Sequence, residues 1–272
     1  MNGNDPMTGV ERIRSAIAKR QGDATAAFMP YFPSGFPSRS ESVSMLRSMA
    51  DAGADLFEIG FPFSDPLADG PTIQAATHRA LLNGMTTRDC LDIAQELREA
   101  GITQPFCAMS YYNPIFNYGT DRFVEDAAQA GFDGFIIPDL PPDEGEEMEE
   151  ACRETGLALV YLLAPSSSRE RIELVTSRST GFVYLVSVLG TTGARASLPD
   201  YLTDLVAQVR ADTDTPVCVG FGVSNGVQAA QVATIADGAI VGSALVKAAE
   251  GPNGADAVKS LARELARGAH GH

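Results

Sequence analysis

The sequence predicts a (β/α)8 barrel built as a single domain over residues 1–272. Three observations lead there. Strand-like apolar runs alternate with amphipathic helical segments eight times, which favours a closed parallel barrel. Most of the runs are apolar throughout, as expected for a parallel sheet covered on its outer face. The stretch after the first run, PYFPSGFPS at Pro30–Ser38, has no GxGxxG, so an open doubly wound sheet lacks its fingerprint.

An amphipathic helix over Gly9–Lys19 comes first, with Val10, Ile13 and Ile17 on one side. The eight strands follow at Ala26–Phe32, Leu56–Gly60, Phe106–Tyr111, Gly134–Pro138, Ala158–Leu163, Phe182–Ser187, Val217–Gly220 and Ala239–Val241. Between them, Ser38–Ala52 carries Val43, Leu46 and Met49 on one helical face. Thr87–Ala100 carries Leu91, Ala94 and Leu97, with Thr87 as its cap and Gly101 just past its end. Asp121–Ala130 stops at Gly131, and Leu198–Val209, Val227–Thr234 and Ala255–Ala266 complete the series. Residues 1–8 and the C-terminal RGAHGH, including 268–272, read as loose tails.

Composition narrows the chemistry. With 35 acidic and 20 basic residues the net charge is -15, which disfavours nucleic acid and anionic membranes. A phosphorylated small molecule remains open, because backbone N–H groups at a helix start hold phosphate locally. Cys90, Cys107, Cys152 and Cys218 are scattered without a CxxC, which suits buried reduced thiols in a cytosolic protein. No run is long and apolar enough to span a membrane. The three lysines, Lys19, Lys247 and Lys259, fall outside the predicted strands, which argues against a Schiff-base lysine. The three histidines, His78 on a helix and His270 and His272 at the end, do not make a zinc centre. Carboxylates are left as the proton-transfer groups.

The stretch FEIGFPFSDPLADGP, Phe57 to Pro71, places carboxylates where barrel chemistry occurs, at the C-terminal end of a strand and on the loop after it. Glu58 stands between Phe57 and Ile59, so desolvation should raise its pKa and suit it to act as a general acid. The plain alternative is a strand-end glutamate paired with an arginine. Asp65 and Asp69 lie in turn sequences, where aspartate commonly caps backbone. Gly220–Gly222 and Gly242–Ser243 close the last two strands and lead into a helix at Ala244–Ala249, a common barrel phosphate site; tight turns alone would also use these glycines. The segment Val188–Pro199, with Gly190 and Gly193 around Thr191 and Thr192, reads as a lid or as a passive loop.

The long motif EIGFPFSDPLADGPTIQ (Glu58–Gln74), with GTTGAR (Gly190–Arg195), GFGV (Gly220–Val223) and VGSA (Val241–Ala244) in order, resembles the tryptophan synthase alpha family from about Val10 to about Ala266. The resemblance implies reversible, cofactor-free retro-aldol cleavage of indole-3-glycerol phosphate to indole and glyceraldehyde 3-phosphate. Glu58 matches the family's general acid–base, and Asp69 the carboxylate that accepts the indole N–H. Gly193, Gly222, Gly242 and Ser243 match phosphate-binding positions. Thr192 matches the lid threonine, Tyr184 a tyrosine near the acid, and Tyr31, Met109 and Tyr111 the indole pocket. Asp65, Asn113 and the segment Tyr112–Asn117 match the face toward a beta subunit.

That partner, expected in an alpha2beta2 heterotetramer in the cytoplasm, would carry the pyridoxal phosphate; this chain would carry none. The lid opening, Ser187–Thr192, and Phe36 depart from common family residues, touching lid closure and one salt bridge to the partner. A stand-alone lyase of the same fold is the main alternative. Another phosphate-binding barrel should lack the long motif, and a non-catalytic activating subunit would have lost Glu58, Asp69 or Thr192.

Overall fold

The structure, a computed structural model, describes residues 7–20, 24–186, 200–220, 222–251 and 253–272. Nine strand segments form one wholly parallel sheet: β1 (Ala27–Pro33), β2 (Phe57–Gly60), β3 (Phe106–Met109), β4 (Gly134–Ile136), β5 (Ala158–Val160), β6 (Leu162–Leu163), β7 (Val183–Val186), β8 (Val217–Gly220) and β9 (Gly238–Val241). Their order is β5-β4-β3-β2-β1-β9-β8-β7-β6. β5 and β6 are halves of one expected strand, divided at Tyr161. The Tyr161 N–H donates to Ser179 Oγ at 2.9 Å, while its carbonyl accepts the Tyr184 N–H at 3.2 Å. The ring closes through that residue, so the eight expected strands occupy eight positions in a barrel.

Helices α1 (Gly9–Ala18), α2 (Arg39–Asp51), α3 (Pro71–Leu82), α4 (Thr87–Glu99), α5 (Tyr112–Tyr118), α6 (Thr120–Ala130), α7 (Glu146–Thr155), α8 (Arg169–Arg178), α9 (Asp200–Arg210), α10 (Gly226–Ala233), α11 (Ser243–Ala249) and α12 (Gly254–Ala269) follow the alternation. The period-two pleat explains why the strands read as unbroken apolar runs. Ala27 and Met29 point into the barrel with Leu56, Ile136, Val160, Phe182 and Ile240. Phe28, Phe57, Phe106 and Phe135 point outward under the helices. Ile13 and Ile17 of α1 are fully buried in the inner layer, and Ile13 reaches Gly134 and Gly181 near the starts of β4 and β7. The extra N-terminal helix therefore plugs the N-terminal end of the barrel.

That end is held by a repeated device. Asp55, Asp133 and Asp237 stand just before β2, β4 and β9. Each accepts the N–H of a residue in the neighbouring strand: Phe28 at 2.9 Å, Phe106 at 2.8 Å and Val217 at 2.8 Å. Each also pairs with an arginine: Arg20, Arg98 and Arg210, all at 2.8 Å. Charge-assisted bonds to strand N–H groups fix the register of the sheet far from its C-terminal mouth.

Three expectations need correction. The cap of α4 is Thr86, not Thr87; its side chain accepts the Asp89 N–H and its own N–H donates to Asp89, a capping box. Near the N-terminus, Thr8 belongs to the fold, because it makes the same box with Glu11 at the start of α1. The C-terminal RGAHGH is not a loose tail. α12 runs to Ala269, which is buried and accepts the Ala26 N–H at 2.7 Å, and His270 Nε2 lies 2.7 Å from Asp55 Oδ2. The four cysteines are free and buried, as expected.

Deleting residues 268–272 removes the Ala26 and His270 ties, and should cost about 2 kcal/mol or more. Urea unfolding of the full and shortened chains measures this; equal midpoints would restore the loose-tail reading.

Candidate active site

The C-terminal ends of the strands bring most of the candidate residues together. Glu58 lies in the middle of β2 with its side chain on the inner face, two residues beyond inward Leu56. Its exposure is 0 %, and neither carboxyl oxygen has a hydrogen-bond partner among the described residues. Among the described residues no arginine pairs with it, so the ion-pair alternative finds no partner there. Burial alone pushes its pKa well above the carboxylate range, because the charged form loses solvation with nothing to replace it. Burial therefore favours the neutral, protonated form of Glu58.

Asp69 sits in a different environment. It lies half-buried on the loop between β2 and α3, and accepts the Tyr111 hydroxyl at 3.2 Å. Burial raises its pKa to about 6, and the Tyr111 bond pulls the other way. Tyr111 is itself held by the Ala68 N–H, which donates to its hydroxyl at 2.9 Å, and its ring packs on Phe63 at 5.2 Å. Burial thus acts on Glu58 unopposed, while at Asp69 the Tyr111 bond favours the charged form.

Tyr31 of β1, the register partner of Glu58, and Tyr184 of β7, across the barrel, are both buried. Each leans one pleat toward the mouth and seats its hydroxyl over a glycine. A Cβ at Gly60 would stand 2.4 Å from Tyr31 Oη, and one at Gly220 would stand 2.2 Å from Tyr184 Oη. These seats escaped the sequence reading. Their signal was a glycine at an inward position of an otherwise apolar strand. Met109, at the end of β3, lies on the same inner face as Cys107.

Gly222 lies beyond β8 with φ +82 and open space where a Cβ would point. Gly242 is the N-cap of α11 and Ser243 its exposed first residue. The first N–H groups of a helix lack intrahelical acceptors and favour an anion. Thr192 and Gly193 lie outside the described residues. Asp65 is exposed and accepts the Ser64 hydroxyl at 2.5 Å, and Asn113, on α5, accepts the Asn117 amide at 3.0 Å. Both stand on connections joined by the Ala68–Tyr111 bond, beside the apolar side chains of Leu67 and Phe116, 92 % and 64 % exposed. Among the described residues, no group of three histidine, cysteine or acidic side chains could hold a metal.

The chain is similar to known proteins over nearly its whole length. A family model described as Tryptophan synthase alpha chain matches residues 17–270. The tryptophan synthase alpha chain of Chloroflexus aurantiacus is 46% identical over 237 residues, 87% of this chain and 89% of the relative. That of Streptomyces coelicolor is 43% identical over 275 residues, 100% of this chain and 99% of the relative. Among solved structures, tryptophan synthase of Mycobacterium tuberculosis superposes with a TM-score of 0.88 at 40% identity, covering 97% of this chain and 99% of that one.

The Asp69 carboxyl should titrate near pH 6 by carbon-13 NMR. Tyr111→Phe removes the bond that stabilises its charged form, so the midpoint should move to higher pH. An unmoved midpoint would show that the bond does not control this charge.

Proposed function

The chain belongs to the tryptophan synthase alpha chain family, and from that premise we propose that Glu58 and Asp69 carry out its lyase reaction, cleaving indole-3-glycerol phosphate in tryptophan biosynthesis. The observation that carries the reading is the Glu58 carboxyl, fully buried inside the barrel and without a partner among the described residues.

The chemistry follows from the two carboxyl environments. Neutral Glu58 delivers its proton to indole C3, which makes that carbon tetrahedral and the ring cationic. Ionised Asp69 accepts the indole N–H and stabilises that charge. The bond between C3 and the glycerol carbon then breaks, and its electron pair restores the aromatic ring. The hydroxyl on the departing carbon loses its proton to the Glu58 carboxylate and becomes the aldehyde of glyceraldehyde 3-phosphate. One group acts as acid and then as base, and it is regenerated.

Tyr31, Met109, Tyr111 and Tyr184 wall the indole side of the site. Gly222, Gly242 and Ser243, with Gly193, hold the phosphate at the N-terminus of α11. Thr192 closes the lid over Asp69. This chain needs no cofactor. Lys19 follows α1, and Lys247 and Lys259 sit on α11 and α12, so none stands inside the barrel for a Schiff base.

Asp65 and Asn113, beside exposed Leu67 and Phe116, form the face for a beta subunit carrying pyridoxal phosphate, in an alpha2beta2 assembly in the cytoplasm. An apolar rim beside the mouth suits a partner that receives an apolar product, and it favours this reading over a stand-alone lyase. The whole chain acts as one barrel domain.

The test is indole release from indole-3-glycerol phosphate by the chain alone and with a beta subunit. Slow turnover that rises with the partner is expected, whereas fast turnover alone would indicate the stand-alone lyase. Glu58→Gln should lose about a hundredfold or more; retention of more than about a tenth of the rate would remove Glu58 from the role. In wild type, kcat/KM should fall as pH drops through about 6, because protonated Asp69 no longer accepts the indole N–H.

A further inference from the structure

Once Glu58 has given up its proton, a carboxylate is left in an apolar barrel with no hydrogen-bond partner among the described residues. A buried carboxylate without a hydrogen bond is costly, so the reaction needs a donor held within reach of the Glu58 side chain. Among the described residues, the titratable side chains that feel its charge include Tyr31 of β1, Cys107 of β3, Tyr184 of β7 and Cys218 of β8. The two thiols are weak donors. Of the two phenols, Tyr31 is on the strand next to Glu58. The Cα atoms of Tyr31 and Glu58 are register partners, while Tyr184 pairs with Leu162 and Cys218 on the other side of the barrel.

Tyr31 is also held at a useful height. Its hydroxyl rests on Gly60, two residues beyond Glu58 on the same inner face and about 6.6 Å along the strand. On its other side the ring lies against Gly242, where an added Cβ would stand 3.0 Å from Cδ1. The ring is wedged between two glycines of neighbouring strand ends. The hydroxyls of Tyr31 and Tyr184 both feel Glu58 and Asp69, so it is the strand pairing and the Gly60 seat that single out Tyr31.

We infer that Tyr31 is a positioning residue for the reaction: its hydroxyl, seated on Gly60, donates a hydrogen bond to the Glu58 carboxylate formed when the proton passes to indole. This rests on the reading of Glu58 as the acid–base. It gives Gly60 a role as well, since any side chain there displaces the donor.

The experiment is the pH profile of kcat for indole release in the complex with a beta subunit, for wild type, Tyr31→Phe, Gly60→Ala and the double variant. Tyr31→Phe keeps the ring and removes only the donor. Its kcat should fall about tenfold, as for loss of a bond to a charged group, with KM within about twofold because the ring wall is kept. The alkaline limb, where Glu58 loses its proton, should move to higher pH, because the carboxylate has lost a stabilising donor. Gly60→Ala should move the limb in the same direction, and the double variant no further than Tyr31→Phe alone. A merely structural tyrosine would change KM or stability and leave the limb in place. An unmoved limb in Tyr31→Phe, with Glu58→Gln inactive, overturns the inference and leaves the acid–base reading standing. Activity in Glu58→Gln would instead overturn that reading.

Discussion

Much of this molecule's chemistry depends on one constraint: a carboxyl group closed inside an apolar barrel, with no cation among the described residues to answer it. The barrel makes the constraint possible. Its inner face is filled by Met29, Leu56, Ile136, Val160 and Phe182, and α1 seals the N-terminal end with Ile13 and Ile17. A glutamate on an open sheet would hydrate and ionise. Here ionisation finds no compensation among the described residues, so burial favours the neutral acid. Asp69 escapes the constraint by standing on a loop, half-exposed and bonded to Tyr111. The same side-chain chemistry therefore meets two different environments, one on the strand and one on the loop that follows it.

A site of this kind requires a frame that does not adjust to relieve it. The frame is held at the far end of the strands, where Asp55, Asp133 and Asp237 each join a neighbouring strand N–H to an arginine. Stability is concentrated at the N-terminal face, and chemistry at the C-terminal face, a division common to barrels of this kind. The final helix contributes to the first face: His270 reaches Asp55 across nearly the whole sequence.

The strands were legible because both of their faces are apolar, a local property of each run. Glu58 was legible for the same reason in reverse, as an acid interrupting such a run. What escaped depended on contacts between distant residues. The interruption at Tyr161 comes from Ser179 competing for its N–H. RGAHGH has the composition of a tail, and only its docking to Ala26 and Asp55 makes it part of the fold. α5 begins in YNPIF, whose asparagine and proline read as a loop. The tyrosine seats at Gly60 and Gly220 need two strands to be visible at all. Thr192 and Gly193 rest on the motif alone.

The protonation state of Glu58 in the resting protein tests this account most directly. Infrared difference spectra between wild type and Glu58→Gln at neutral pH isolate the carbonyl stretch of a protonated carboxyl from the bands of ionised ones. The account predicts a protonated-acid band in the wild type that is lost in the variant and persists well above the ordinary glutamate range. A carboxylate band in its place would contradict it, since Glu58 would then be ionised at rest and could not be the proton donor.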